Sequence, residues 1–155
     1  MSFISPSILE KKISGKKILI DTNIIIYLLE EVEEYAELSR LLFNLIEENK
    51  TTAFVSALSI AEVIQGPLKK GYTDMVLQAR EYLLNFPNMK CQAIDENVLE
   101  LFGSDKRVGW PFLRVVDSLI ISSGLYNEVD LIISNDRHFK KAVSKDLIVS
   151  FDNNS

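Results

Sequence analysis

The sequence predicts an α/β protein with a mostly parallel sheet of about five strands and helices on both faces. Two features of the chain support this expectation. Short runs rich in Ile, Leu and Val recur without polar interruption, which is typical of parallel strands buried on both faces. Longer segments with helical apolar spacing separate these runs. Strands that alternate with helices are joined by right-handed crossovers, which leave neighbouring strands parallel.

The most informative run is Ile18-Leu19-Ile20, which leads directly into Asp21. We expect it to form the first strand. The apolar residues after Asn23 are expected to begin a helix packed on that strand, because no turn residue follows Asn23. The same pattern predicts four further strands, at residues 52–56, 90–94, 131–133 and 147–149.

Capping and breaking residues mark the ends of the predicted helices. Ser5-Pro6 begins a short helix that Gly15 closes, so residues 1–15 are expected to form an N-terminal helical extension. Gly66-Pro67 is expected to end the helix after the second strand. The acidic run 30–34 is interpreted as the solvated start of another helix, and 151–155 as a polar tail. Further helices are expected at residues 38–46, 73–84, 95–103, 112–126 and 136–143.

A chain of 155 residues with 47% hydrophobic and 25% charged residues is expected to form a single domain over residues 1–155. Its formal net charge of -5 argues against a broad surface that coats nucleic acid. It does not exclude a nuclease, since metal-binding carboxylates count as negative charges. Cys91 is the single cysteine, so no intrachain disulfide can form; together with the lack of a signal peptide, this favours a cytoplasmic protein.

Two acidic residues follow predicted strands. Asp21 ends the first strand, and Asp136 lies just beyond residues 131–133. Ligands of open α/β sheets bind at the carboxyl ends of the strands, which makes both residues candidates for a site. The alternative for Asp136 is an ordinary helix N-cap, which contributes about 1 kcal/mol.

Two further acids lie in predicted helices. Glu62 follows Ser59 with the spacing of a capping box, in which Glu reaches back to the N-cap amide; the alternative places Glu62 over the same sheet edge as Asp21. Asp117 lies in a helix that is apolar around most of its circumference and is therefore expected to be buried. A buried carboxylate must be paired, protonated or bound to a cation. Its structural alternative is an i,i+3 pair with Arg114.

Four carboxylates that meet at one edge repel one another and raise each other's pKa values. A hard divalent cation removes this repulsion, and Mg²⁺ or Mn²⁺ prefers oxygen ligands. Zinc is not favoured, because His138 and Cys91 are the single residues of their kinds. The four acids therefore predict a Mg²⁺ or Mn²⁺ site, provided that they converge.

The order and spacing of these residues resemble the PIN domain. The resemblance covers nearly the whole chain, from residue 17 to residue 149, and it is specific as a set, although no single motif would carry it. Among PIN domains the sequence is most similar to the toxin ribonucleases of VapBC-type toxin–antitoxin pairs. The motifs that carry the resemblance are Asp21-Thr-Asn23, Ser59-x-x-Glu62-Val, Asp117-x-x-Ile120 and Ser134-Asn-Asp136-x-x-Phe139.

The resemblance implies a Rossmann-like three-layer α/β/α sandwich and a metal-dependent endoribonuclease that hydrolyses RNA phosphodiester bonds. It implies Mg²⁺ or Mn²⁺ as the cofactor, an antitoxin as a partner, and often a homodimer. Position 138 is His, where an acid is common in the family, so an extra metal ligand from that helix is in doubt. The metal-binding and catalytic acids that it implies are Asp21, Glu62, Asp117 and Asp136, with Asn23 and Ser134 as supporting residues.

Other functions remain to be compared with this one. Aspartate-nucleophile phosphatases also end their first strand in Asp, but they need a second acid two residues later, where this chain has Asn23. The non-enzymatic alternative is a PIN-like RNA-binding module that keeps the fold without cleavage. The basic turn around His138 is either a solvated surface or a contact for phosphate next to the site.

Overall fold

The computed structural model describes residues 2–152, which build a five-stranded sheet in the order β3-β2-β1-β4-β5. Every pair of neighbouring strands is parallel. The predicted α/β fold is therefore confirmed, and the sheet is parallel throughout. The strands are β1 (Lys17–Ile20), β2 (Thr52–Ser56), β3 (Met89–Gln92), β4 (Leu131–Ile133) and β5 (Ile148–Val149).

Helices connect the strands and cover both faces of the sheet. One hydrophobic core packs the first five helices, α1 through α5, against one face of the sheet. A second core packs α7 and α8 against the other face. The protein is thus a three-layer α/β/α sandwich, as the family resemblance implies. The helices are α1 (Pro6–Ile13), α2 (Thr22–Leu29), α3 (Ala36–Glu47), α4 (Ala57–Lys69), α5 (Thr73–Leu84), α6 (Glu96–Leu101), α7 (Val115–Tyr126) and α8 (Arg137–Ala142).

Strand β1 is the centre of the fold, and its side chains alternate between the two cores. Ile18 and Ile20 belong to the first core, whereas Leu19 belongs to the second. All three side chains are fully buried. Burial on both faces explains why this run contains no polar residue before Asp21.

Helix α7 lies directly against β1, and Gly124 permits this close approach. A Cβ atom at position 124 would lie 2.9 Å from Leu19 Cδ2 and 3.1 Å from Val129 Cγ2. A larger residue would therefore push the helix away from the strand. The apolar helix predicted in this region is buried as expected, and it brings Asp117 to the carboxyl end of β1.

The N-terminal extension is helical, as predicted. The Ser5 hydroxyl accepts a hydrogen bond of 3.2 Å from the Ile8 amide and so caps α1. Leu9 and Ile13 on the inner side of this helix are fully buried in the first core. The extension is therefore part of the packed fold. Met1 lies outside the described residues.

The predicted polar tail over residues 151–155 is wrong for its first two residues. Phe151 is fully buried, and its carbonyl accepts a hydrogen bond of 2.7 Å from the Ile4 amide. Asp152 pairs with Phe3 in an isolated antiparallel bridge. The N-terminal segment thus covers this part of the chain, which no local pattern revealed. Residues 153–155 lie outside the described part of the chain.

The end of α4 also differs from the prediction, because the helix continues through Gly66 and Pro67 to Lys69. Proline removes one amide donor. The last turn is nevertheless completed by hydrogen bonds from the Lys70 amide to the Gly66 carbonyl at 3.3 Å and from the Tyr72 amide to the Pro67 carbonyl at 2.9 Å. The proline lies near the end of the helix, where the loss of one donor is tolerated.

Two predicted helix starts come too early. The acidic run 30–34 is not the start of α3, because Glu31 has a φ of 49° and breaks the helical path; α3 begins at Ala36. The segment predicted as helix from residue 112 contains a 3-10 turn at Trp110–Phe112, and α7 begins at Val115 after extended backbone at Arg114. Within residues 2–152, no helix is long and apolar enough to cross a membrane.

Candidate active site

Asp21 lies directly beyond the carboxyl end of β1 and is 5% exposed. The Thr22 amide donates to its Oδ1 at 2.8 Å, and the Ser134 hydroxyl donates to its Oδ2 at 2.6 Å. Among the described residues, no basic side chain forms an ion pair with Asp21. Its charge is therefore held by hydrogen bonds without a protein cation.

Burial is the main cause that raises the pKa of Asp21 to about 7. The hydrogen bonds from Ser134 and Thr22 lower this pKa, whereas the charges of Asp136 and Asp117 raise it. A cation beside Asp21 would favour the ionised form and offset the energetic cost of burying its negative charge. The electrostatics of the site thus favour a cation at this carboxylate.

Ser134 connects Asp21 to Asp136. Its fully buried hydroxyl donates to Asp21 and accepts a hydrogen bond of 3.1 Å from the Asp136 amide. Asp136 in turn caps α8, because its Oδ1 accepts from the amides of His138 at 2.7 Å and Phe139 at 3.2 Å. The N-cap interpretation of Asp136 is confirmed. The cap uses Oδ1, so it does not exclude a further role for the other oxygen.

Glu62 is not part of a capping box. The N-cap of α4 is Ser56, so Ser59 lies inside the helix and Glu62 lies in its second turn. The Glu62 Oε1 accepts a hydrogen bond of 2.6 Å from the Thr22 hydroxyl. This contact places Glu62 beside the residue that follows Asp21, at the same edge of the sheet.

Asp117 lies in the first turn of α7, is 3% exposed and pairs with Arg114. The guanidinium donates from Nε to Oδ2 at 2.9 Å and from Nη2 to Oδ1 at 3.1 Å. The predicted i,i+3 pair is therefore present. The Arg114 side chain is 69% exposed, so only the acid is buried. The hydrogen bond to Asp117 raises the pKa of Arg114, and the nearby charges of Glu62 and Asp136 raise it as well.

The four acids lie at one edge of the sheet. The charges of Asp117 and Asp136 act on Asp21, and Glu62 contacts the residue that follows Asp21. As they stand, no three His, Cys, Asp or Glu side chains of residues 2–152 form a group that could hold a metal ion. Arg114 engages both oxygens of Asp117, and Thr22 engages one oxygen of Glu62. Binding of a metal would require these side chains to reorient, so their role as ligands remains a prediction.

The chemistry of the site fits a hard divalent cation. Its donors are carboxylate and hydroxyl oxygens, which Mg²⁺ and Mn²⁺ prefer. Two buried hydroxyls, those of Ser59 and Ser118, have no hydrogen-bond partner among the described residues. Ser59 lies one turn before Glu62, and Ser118 follows Asp117 in the chain. A buried hydroxyl without a partner is unfavourable, and ordered water or a hydrated ion would satisfy it.

Asn23 supports the loop that carries Ser134 and Asp136. Its Oδ1 accepts a hydrogen bond of 3.5 Å from the amide of Asn135, the residue between them. The Asn135 side chain donates to Asp152 Oδ2 at 3.1 Å, and its Oδ1 accepts from the Asp152 amide at 3.0 Å. These contacts fix the loop between β4 and α8 from two directions.

Sequence reasoning missed Thr22 and Asn135 as contributors to the site. Both lie between predicted site residues, in Asp21-Thr22-Asn23 and in Ser134-Asn135-Asp136. Their polarity next to buried strands was the available signal. Their partners lie far away in the chain, so the sequence did not show which contacts they make.

Comparison with known proteins identifies the family of this chain. The family model of the PIN domain matches residues 18–145 of the chain. This match spans all four acids. A comparison with curated protein sequences gives no significant match.

Solved structures of VapBC proteins share the fold. VapBC2 from Rickettsia felis, bound to a DNA fragment from their promoter, has a TM-score of 0.65 at 15% identity, covering 88% of this chain and 99% of that chain. DNA-bound VapBC from Salmonella typhimurium has a TM-score of 0.65 at 19% identity, with the same coverage of 88% and 99%. Mycobacterium tuberculosis VapC20, a sarcin-ricin loop cleaving toxin, has a TM-score of 0.58 at 13% identity, covering 80% of this chain and 93% of that chain.

At these identities the solved structures show a common fold. The family model adds a match in sequence over the region from β1 to the end of α8. The order of motifs and the parallel sheet agree with this match. The chain belongs to the PIN domain family.

Proposed function

We propose that the protein is a metal-dependent endoribonuclease that hydrolyses RNA phosphodiester bonds, and that it is the toxin of a toxin–antitoxin pair. One observation carries the proposal: Asp21 is buried with no basic partner among residues 2–152, and the charges of Asp136 and Asp117 act on it. Membership of the PIN domain family supports the same conclusion. So does the structural likeness to VapC20, a toxin that cleaves the sarcin-ricin loop.

Each acid has a role in this proposal. Mg²⁺ or Mn²⁺, when bound, lowers the pKa of water and stabilises charge on the leaving oxygen of the phosphodiester. We expect Asp21 and Asp117 to hold the ion most directly, while Glu62 and Asp136 complete the site. Ser134 orients Asp21 by the hydrogen bond of 2.6 Å described above.

The decisive experiment measures cleavage of a total-RNA sample by the purified protein in Mg²⁺ and in EDTA, with the cut ends mapped. We expect cleavage in Mg²⁺ and none in EDTA, with 5′-phosphate and 3′-hydroxyl ends. RNA binding in both buffers without cleavage in Mg²⁺ would instead support the PIN-like binding module. The wild-type protein should be compared with Asp74→Asn, which removes one exposed acid from α5 and leaves the site intact.

The proposed protein partner is a cognate antitoxin. The similar structures from Rickettsia felis and Salmonella typhimurium are VapBC complexes, which supports such a partner. A groove of about 380 Å³ between α2, α4 and α5 is lined by apolar side chains that are partly exposed, including Leu29, Tyr72 and Met75. We expect the antitoxin to bind in this groove.

The family resemblance implies a small neighbouring gene, and co-purification with its product tests the partner. A Met75→Asp variant should lose the complex but keep its RNA cleavage, whereas Leu77→Asp, also on α5 but outside the groove, should keep both. Complex formation that is equal in both variants would contradict the groove. The homodimer implied by the family resemblance stays a prediction, which light scattering of the purified protein would check.

A further inference from the structure

A second concave surface lies between the 3-10 turn Trp110–Phe112 and α8. It has a volume of about 370 Å³ and is lined by Phe112, His138 and Lys141. Phe112 is 78% exposed, more than any other large hydrophobic residue in the described part of the chain. Its ring therefore adds little to the stability of the fold, since an aromatic side chain stabilises by burial.

The turn that carries Phe112 is held firmly in place. The Gly109 amide donates to the Ala142 carbonyl at 2.6 Å, and the Phe112 amide donates to the Gly109 carbonyl at 3.0 Å. The Trp110 indole donates to the Asp105 carbonyl at 3.0 Å. An exposed ring on a fixed base is preorganised for contact, because little freedom remains to be lost on binding.

Gly109 allows close packing in this arrangement. A Cβ atom at position 109 would lie 3.2 Å from Phe112 Cδ2 and 3.3 Å from the Ala142 carbonyl oxygen. The bridge between Val108 and Val143 fixes the same region to the end of α8. The turn and the helix thus present the ring and the basic residues of α8 on one rigid surface.

The surface is positively charged within a protein of formal net charge -5. Arg137, His138 and Lys141 are exposed along α8, and Lys140 lies 3.8 Å from Asp152 in an ion pair. Arg114 lies two residues after Phe112 and is exposed on its outer side. Cations beside an exposed aromatic face complement the phosphates and bases of a single-stranded nucleic acid.

The surface adjoins the acidic edge through two backbone connections. Asp136 accepts a hydrogen bond from the His138 amide, so the capped end of α8 joins the two regions. Arg114 holds Asp117 and lies in the extended segment that follows the turn. Phe112 thus stands five residues before Asp117 in the chain, and His138 two residues after Asp136, so the surface neighbours the acids on both segments.

We propose that Phe112, His138 and Lys141 form a subsite for one unstacked nucleotide of a single-stranded RNA, next to the acidic edge. The base stacks on the Phe112 ring, while His138 and Lys141 contact phosphate. This inference rests on the proposed ribonuclease function and names the residues that would hold one nucleotide of its substrate. Double-stranded RNA does not fit, because its bases are already stacked inside the helix.

The surface is better suited to a nucleotide than to a protein partner. A volume of about 370 Å³ is at the lower end of the range for small-ligand pockets, roughly 300–1,000 Å³. A stable protein interface needs about 800 Å² from each partner. The combination of one flat ring with adjacent cations matches a single base and its phosphate.

The test measures binding of a fluorescein-labelled single-stranded RNA by fluorescence anisotropy, in Ca²⁺ and in EDTA. We expect Phe112→Ala to weaken binding by about 10-fold or more, since a base gains this much from stacking on an aromatic ring. Phe112→Trp should restore it. Lys141→Gln should weaken binding several-fold and reduce its dependence on salt. Binding of a duplex of the same sequence should be unchanged in Phe112→Ala.

Matched controls are Leu77→Ala, an exposed apolar residue on α5, and Lys90→Gln, an exposed cation on β3. Neither should change RNA binding. Because Phe112 is exposed, all variants should keep the thermal midpoint of the wild-type protein. The KM for single-stranded RNA in Mg²⁺ should rise in Phe112→Ala with little change in kcat.

The outcomes separate this subsite from the proposed catalysis. Unchanged binding and unchanged KM in Phe112→Ala would overturn the subsite and leave the nuclease intact. Weaker binding by Phe112→Ala in a protein that does not cleave would support the subsite and overturn the catalysis. A variant that loses a homodimer or an antitoxin complex while RNA binding stays constant would show a protein interface and overturn the subsite.

Discussion

Asp21 and Asp117 are both buried acids at the same edge of the sheet, but their surroundings differ. On the β1 side, Asp21 is held by a hydroxyl and an amide, from Ser134 and Thr22. On the α7 side, Asp117 accepts hydrogen bonds from Nε and Nη2 of the Arg114 guanidinium. Within the described part of the chain, Asp21 thus accepts hydrogen bonds from neutral donors alone, whereas Asp117 is paired with a cation.

This difference shows where charge is left uncompensated. Arg114 balances Asp117 but is itself 69% exposed, so water screens much of its effect on the other acids. No comparable cation reaches the β1 side among the described residues, and burial raises the pKa of Asp21 to about 7. A divalent ion would therefore be stabilised most by the charge of Asp21. Asp117 could bind the ion as well after Arg114 moves away from its oxygens.

The largest effect is expected from replacing either acid by Asn, which keeps the size but removes the charge. Both Asp21→Asn and Asp117→Asn should lower RNA cleavage by at least about 100-fold, because changes in groups that only orient a metal ligand already lower activity by about 10- to 100-fold. Rates on a defined RNA in Mg²⁺ measure this, with Asp74→Asn as the control. Cleavage at the wild-type rate by Asp117→Asn would contradict the assignment of the α7 side.

A smaller effect is expected from the link between Asp21 and Asp136. Ser134→Ala removes the hydroxyl that serves both residues, so cleavage should fall by about 10- to 100-fold. The free energy of unfolding should fall by about 1–3 kcal/mol, because a buried acceptor loses its donor. Urea denaturation measures the second quantity. The control is Ser104→Ala, whose exposed hydroxyl bonds only to the Leu101 carbonyl; equal losses in both variants would contradict the special role of Ser134.

In the metal-free protein, the substitutions of Asp21 and Asp117 should differ in the direction of their effect on the free energy of unfolding. In EDTA at pH 7, Asp21→Asn should be at least as stable as the wild type, whereas Asp117→Asn should be less stable. The pKa of Asp21 rises from 3.8 to about 7, so the folded protein holds this proton more tightly than the unfolded chain. The wild-type stability should therefore fall as pH rises between these values, relative to Asp21→Asn. Thermal melts at several pH values measure this, and parallel curves would contradict it.

The smallest effect is expected from Arg114. Arg114→Ala removes both donors of buried Asp117, but water can partly replace the exposed guanidinium, so the free energy of unfolding should fall by about 1 kcal/mol. The variant should also bind Mn²⁺ more tightly, since Arg114 occupies both oxygens of Asp117. Calorimetric titration measures that affinity. An unchanged or weaker affinity would show that the guanidinium does not compete with the ion.

Local patterns were sufficient for most of the fold and for the secondary-structure elements that carry the four acids. Ile18 and Ile20 are apolar because both faces of β1 are buried, and this requirement is visible in the sequence itself. The caps at Ser5 and Asp136 were visible for the same reason, since a cap acts within a few residues of itself.

Predictions failed where distant contacts decide the outcome. Glu62 has the spacing of a capping box with Ser59, but its partner is Thr22, which lies 40 residues away. Phe151 belongs to a polar-looking end, yet Ile4 and the first core cover it. Asp117 has a local partner in Arg114, and only the structure shows that this partner is exposed while the acid is buried.

The hydrogen bond between Ser134 and Asp21 joins residues that are 113 positions apart. Strand β4 lies beside β1 in the sheet, although six α-helices and two strands are synthesised between them. During translation, the edge of β1 that pairs with β4 therefore stays unpaired until residues 131–136 leave the ribosome. Until then, Asp21 has neither Ser134 nor Asp136 beside it. A nascent chain of this protein is accordingly expected to remain without nuclease activity until the loop after β4 has emerged.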